Sequence, residues 1–120
     1  MTNQAKHELV RELVRRVPEF AAQQEHWQPD LPYDAFGSFA LFLCDRIQQG
    51  SNTEFLDRAF SLLNQMALSD DADVQDLLVA GALEVLADDT ECCAVAERQL
   101  NEAGGHLLRR VRDGWNSSLS

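Results

Sequence analysis

The stretch Thr53–Ala87, TEFLDRAFSLLNQMALSDDADVQDLLVAGALEVLA, decides the fold. From Thr53 to about Leu68, Phe55, Leu56, Ala59, Phe60, Leu62, Leu63, Met66 and Ala67 fill one half of a helical wheel. Thr53, Glu54, Asp57, Arg58, Ser61, Asn64 and Gln65 fill the other half. This pattern predicts a surface helix with one buried side, capped by Asn52. Ser69-Asp70-Asp71 then caps a helix from Ala72 to about Ala87. Its Val74, Leu77, Leu78, Val79, Ala82, Leu83, Val85 and Leu86 cover most of the circumference. A helix apolar nearly all round is packed on several sides, so this one is central. Its polar exit (Asp73, Asp76, Ala80, Glu84, Ala87) spans only about 80° of arc at 100° per residue.

The segments on either side extend the same pattern. Upstream, Leu9, Val10, Leu13, Val14 and Val17 form one stripe of a helix that Pro18 ends or restarts. Residues 26–34, with two prolines, are a connector, and its Trp27, Leu31 and Tyr33 imply that it packs down. Asp34 is the expected N-cap of a helix to Gln49, closed by Gly50, with Phe36, Phe39, Ala40, Leu43 and Ile47 as its core face. Leu41 and Phe42 fall outside that face. Downstream, Thr90 is expected to cap a helix to about Ala103, stopped by Gly104-Gly105. A short basic helix or tail, His106 to Arg112, follows, and the polar end from about residue 113 is expected to fray. No alternation of the β type survives inspection. The expected fold class is all-α: one domain over residues 1–120, a compact bundle of five or six helices, with HEAT-like pairing of two helices as one packing option.

Charge narrows the function. The chain carries 20 Asp and Glu against 10 Lys and Arg, a formal net charge of −10. Residues 1–16 and 104–120 are each +2, and the body between them is −14. Nucleic acids and anionic membranes need a cationic surface, so neither is expected as a partner; a basic protein is. No apolar run approaches the roughly 18–20 residues that cross a bilayer, and the polar N-terminus does not read as a secretory signal. The odd cysteine count, with Cys92 and Cys93 adjacent, fits reduced thiols of a cytoplasmic chain.

Catalytic and metal constellations fail one by one. Asp71-x-Asp73-x-Gln75 starts like a calcium loop, but Asp76 stands where a glycine is needed and Ala82 where a bidentate Glu is needed. His7, His26 and His106 belong to no zinc-type spacing. There is no phosphate loop or nucleophile elbow, and Lys6 is the sole lysine. The reading is a non-enzyme without metal or cofactor. What remains is the acid set Asp70, Asp71, Asp73, Asp76, Glu84, Asp88 and Asp89. The first four stand at a helix start, where carboxylates favour the dipole. Glu84, Asp88 and Asp89 stand at the helix end, against it, and all seven acids are read as the candidate partner-binding surface, Asp73, Asp76 and Glu84 first. Trp27 and Phe42 are the candidate apolar anchors, since binding energy concentrates in buried aromatics.

The stretch Phe60–Asp89 resembles small all-helical bacterial proteins that pair a "Phe-x-x-x-Asn-x-Met" helix with an "acid-acid-x-x-Val-x-x-Leu-x-x-x-x-x-Leu-Glu" helix. Leu13-Val-Arg-Arg-Val-Pro-Glu-Phe20 and the aromatic helix near Phe36 fit the same family, so the resemblance covers residues 8–90. Several such proteins sit beside polymorphic or contact-dependent toxins as presumed immunity proteins. The resemblance implies a cytoplasmic protein that binds and neutralises a cognate toxin domain. Together with the charge, this points to a basic, nuclease-type toxin held by stoichiometric occlusion. A helical adaptor with a non-toxin partner is the alternative expectation. Oligomeric state has no signature in the sequence.

Overall fold

The computed structural model describes residues 3–22, 28, 30–50 and 53–119, and every regular element among them is helical. In α1 (Asn3–Arg16), Val10 and Leu13 enter the core, followed by Val17 just beyond the helix, while Val14 at the stripe edge stays open to solvent. On the outer side Glu12 accepts hydrogen bonds from both Arg15 and Arg16. Pro18 restarts the chain as the first residue of the short α2 (Pro18–Ala21), which drives Phe20 into the core.

Helix α3 (Pro32–Gln48) begins at Pro32, not with Asp34 as its cap. Proline lacks the N–H that a first turn leaves unsatisfied, and its φ suits that position. Asp34 lies in the first turn and accepts the Gln28 N–H at 2.7 Å instead. Gly50 closes the helix as expected, with φ +73° and its N–H on the Ile47 carbonyl. Helix α4 (Thr53–Ala67) buries all eight residues of its apolar half. The expected cap Asn52 lies outside the described residues.

The central helix is continuous from Ala72 to Asp88 but not uniform. It comprises α5 (Ala72–Asp76), a π-helical segment Leu77–Leu83, and α6 (Glu84–Asp88). Its start is as expected: Asp71 accepts the Asp73 N–H at 2.9 Å. Each π turn takes an extra residue, so the polar stripe before the segment and the one after it no longer lie in line. Val74, Leu77, Leu78, Ala82, Leu83 and Leu86 are buried, which makes this helix the centre of the core.

Helix α3 runs beside it in the same direction. Tyr33 meets Asp76 and Gln48 meets Asp89. Between these points the two backbones come close at Gly81 and Gly37. A β-carbon on Gly81 would stand 3.1 Å from Phe36 Cβ, and one on Gly37 would stand 3.6 Å from the Gly81 carbonyl oxygen.

The last third departs from expectation. Helix α7 (Thr90–Gln99) is capped by Asp89 rather than Thr90, with the Cys92 N–H on Asp89 Oδ1 at 2.9 Å. It ends at Leu100, whose backbone is extended, and α8 (Glu102–Leu119) starts at once. Gly104 and Gly105 lie inside α8 and stop nothing. The break sits at Asn101 because its side chain can cap: Oδ1 accepts the Gly104 N–H at 2.7 Å. Asn64 of α4 completes the joint. Its Oδ1 accepts the Asn101 N–H at 2.8 Å, and its Nδ2 donates to the Gln99 carbonyl. Asn64, the asparagine of the Phe-x-x-x-Asn-x-Met pattern, therefore pins the α7–α8 turn to α4. Helix α8 continues to Leu119, past the point where fraying was expected. Taking the central helix as one, the described residues form a seven-helix, all-α bundle.

Candidate functional site

The seven acids singled out in the sequence do not form one surface. Asp70, Asp71, Asp73 and Asp76 gather at the start of the central helix, where two of them have local work. Asp71 caps α5, and the Ser69 hydroxyl accepts the Asp71 N–H. Asp76 accepts the Tyr33 hydroxyl, while Lys6 of α1 lies 4.7 Å above the Tyr33 ring. The bond to Asp76, followed by burial, raises the Tyr33 pKa. Lys6 is likewise held in its charged form, first by its bond to Tyr33 and then by the charges of Asp73 and Asp76. This end is a tether joining α1, α3 and α5, with its charge partly compensated by the chain's one lysine.

Glu84, Asp88 and Asp89 fall in a different place. They line a cleft of about 650 Å³ between the second half of α3 and the end of the central helix. From α3 come Leu41, Cys44, Asp45 and Gln48; from the other side come Ala80, Glu84, Val85, Asp88 and Asp89. The α3 residues follow the spacing i, i+3, i+4, i+7, one continuous stripe. Ala80, Glu84 and Asp88 form the facing stripe. The floor is apolar, and Leu41 is 63% exposed on it.

Four carboxylates rim this cleft, and no lysine or arginine lines it. Among the described residues none of the four enters an ion pair. Two have hydrogen-bond partners. Asp45 accepts Gln49 Nε2 at 2.8 Å. Asp89 is held by the Cys92 N–H and by Gln48 Nε2 at 2.9 Å, and these bonds, the Cys92 N–H first, keep its carboxyl below its usual range. Its place at the end of α6 is thus explained by its duty as the cap of α7, a role not anticipated from the sequence. Glu84 and Asp88 have no such duty among the described contacts.

The parallel course of α3 and the central helix adds to the negative field. Both C-termini open onto the same end of the cleft, and a helix C-terminus carries roughly half a negative charge in exposed carbonyls, that of α6 being offset by the start of α7. Asp45 was missed in the sequence because no other acid stands near it in α3 and it is next to Arg46. The structure turns Arg46 the other way, over the ring of Phe42 at 4.9 Å.

Phe42 is not available as an anchor. It is 7% exposed and packs between Phe20 and Phe55, with ring centroids 5.7 Å from each. Its position outside the main α3 stripe is covered by α2 and α4, a tertiary contact that α3's own periodicity does not reveal. Leu41, its neighbour, is the residue left in the open. The other candidate anchor, Trp27, lies outside the described residues.

The three thiols are buried. Cys44 at the cleft floor and Cys92 beneath it are hydrogen-bonded to each other, and burial pushes both thiols up, Cys92 furthest. Burial raises Cys93 as well. No group of three or more His, Cys, Asp or Glu among the described residues is arranged to hold a metal ion. No helix among them is long and apolar enough to cross a membrane.

Neither a curated protein nor a solved structure matches the chain. One family does, the Domain of unknown function DUF7674, over residues 10–116. That match runs from the second half of α1 to near the end of α8, taking in the cleft and the Asn64–Asn101 joint, and the chain belongs to the DUF7674 family.

Proposed function

We propose that this chain is an immunity protein, acting in the cytoplasm, that binds and neutralises a cognate toxin domain of basic, nuclease type. It does so by occupying the toxin's surface, with no turnover. The observation that carries this reading is the placement of Glu84 and Asp88 in the α3–α6 cleft. Carboxylates at a helix C-terminus are mildly unfavourable, and here two C-termini and four carboxylates face one opening. Capping of α7 accounts for Asp89, but stability gives no reason for Glu84 and Asp88 beside it; capture of a cationic surface does. Such a field speeds encounter with a basic partner and suppresses acidic ones.

The test uses the variable C-terminal domain of the large secreted protein expected from the adjacent upstream gene. Expressed alone it should arrest growth; with this chain it should not, and the two should co-purify at equal stoichiometry. Growth arrest that persists, with no complex, overturns the reading. A complex without protection replaces it with that of a helical adaptor.

A further inference from the structure

The cleft has a definite shape as well as a charge, and the shape narrows what can enter it. The α3 stripe from Leu41 to Gln48 is about 10 Å long at 1.5 Å per residue, and it faces a second helical stripe of similar length across the opening. Two parallel helices presenting such stripes leave the groove that a third helix fills in a bundle. Ala80, with the smallest side chain of the facing stripe, lets an incoming backbone approach closely. Leu41 and Val85 supply apolar contact, and the carboxylates stand above them.

We infer that this groove receives an amphipathic helix of the partner protein, bearing an arginine or lysine one turn to either side of an aliphatic residue. This rests on the reading of the partner as basic and makes it specific. The aliphatic residue lies on Leu41 and Val85. The long cationic side chains extend their methylene stems over the same apolar floor and deliver their charges to Asp45 on the α3 wall and to Glu84 and Asp88 on the facing wall. A flat basic surface would leave Leu41 in water. An uncharged apolar helix would desolvate the carboxylates with no compensation. A second copy of this chain is disfavoured by its own net charge of −10.

The probe is a synthetic alanine-rich helical peptide of about 16 residues, with one central leucine flanked by arginines one turn away on each side. It is titrated into the isotopically labelled full-length protein and followed by amide chemical shifts. The expected shifts lie in Leu41–Gln48 and Ala80–Asp89. Binding should weaken about tenfold between roughly 50 and 300 mM salt. A peptide with glutamates for the arginines should not bind. The Glu84→Gln/Asp88→Asn protein, shown by circular dichroism to be folded, should bind about fivefold more weakly or worse. Leu41→Ser should weaken binding without changing its salt dependence. Absence of shifts, shifts centred on Asp70–Asp76, unchanged binding by the variants, or a dimer of this chain closed over Leu41 each overturns the inference. The two proposals separate cleanly. If the wild type protects against the toxin and the Leu41→Ser/Glu84→Gln/Asp88→Asn variant protects equally well, the groove inference falls and the immunity reading stands. If the wild type does not protect, the immunity reading falls, and the peptide titration still decides the groove.

Discussion

Alanine substitution at the two glycines where α3 passes the central helix should change stability in opposite directions. A β-carbon on Gly81 meets Phe36 Cβ at 3.1 Å and Leu77 Cδ1 at 3.3 Å. Carbon atoms rest about 3.5–4.0 Å apart, so each contact is short by a few tenths of an ångström. Leu77 can swing its methyl away. Phe36 Cβ is bonded to the α3 backbone, so relief there requires α3 itself to move. Overpacking of that kind costs about 1–3 kcal/mol, and replacing a helical glycine returns up to about 1 kcal/mol. Gly81→Ala should therefore destabilise the fold by about 1 kcal/mol and at most about 2. At Gly37 the new β-carbon meets only the Gly81 carbonyl oxygen, at an ordinary 3.6 Å. Gly37→Ala keeps the propensity gain and should stabilise by up to about 1 kcal/mol. In a domain of this length 1 kcal/mol moves Tm by roughly 3–6 °C. Thermal and urea unfolding followed by far-ultraviolet circular dichroism read both changes, with unchanged m-values as the check that only stability moved. If Gly81→Ala melts at or above the wild type, or if both variants fall together, the account of the crossing is wrong.

Three further outcomes follow from contacts away from the groove. Asn101→Ala removes the α8 cap and the bond from its Nδ2 to the Asn64 carbonyl, which should cost about 1–2 kcal/mol in urea unfolding. Asn64→Ala should cost a comparable amount, and the double variant less than the sum; strict additivity would show that the two do not form one joint. The carboxyls of Glu12 and Glu19 are lowered by bonds from Arg15 and Arg16 and from Arg58, and that of Asp89 by the Cys92 N–H. A carboxyl depressed in the folded state stabilises above its unfolded pKa, and that stabilisation is lost as pH falls through the folded value. Urea midpoints should thus drop below about pH 4, and Glu19→Gln should flatten that limb; a midpoint indifferent to acid would remove these pairs from the account. Burial raises all three thiols, so Ellman's reagent at mildly alkaline pH should react about tenfold or more slower with the native protein than with the guanidinium-unfolded chain. Prompt titration of a thiol in the native protein would contradict the packing of Cys44 on Cys92.

The helices were legible where periodicity alone decides them. The half-wheel of α4 and the nearly all-round apolar central helix both lie where Thr53–Ala87 put them, and Asp71 caps where it should. Boundaries set by competing caps were harder. Asp89 and Thr90 are adjacent and both cap well, and only the hydrogen bond to the Cys92 N–H distinguishes them. The pair Gly104-Gly105 reads as a stop, yet Asn101 three residues earlier starts a helix that runs through it. The π-helical segment has no mark in the periodicity, because Leu77–Leu83 is apolar enough to be buried at either winding. That segment separates Asp76 from Glu84, which a straight wheel places on one stripe. Half of the candidate site was legible for the same reason. Glu84 and Asp88 betrayed themselves by standing against their own helix dipole. Asp45 and Leu41 belong to the site only through the side-by-side course of α3 and the central helix, which no local pattern encodes.

That parallel course also orders events in time. Tyr33 and Asp76 are 43 residues apart in sequence, and Gln48 and Asp89 are 41 apart. Two helices that lie side by side in the same direction cannot close as a hairpin; the chain must first build α4 and carry it back along the bundle. Closing so long a loop is paid for in entropy before any of its contacts form, so this pairing belongs to the late steps of folding. On the ribosome the second wall of the cleft cannot be complete until residue 89 has emerged. A nascent or truncated chain holding everything up to the end of α4 has the buried phenylalanines of the core and only the α3 wall of the cleft.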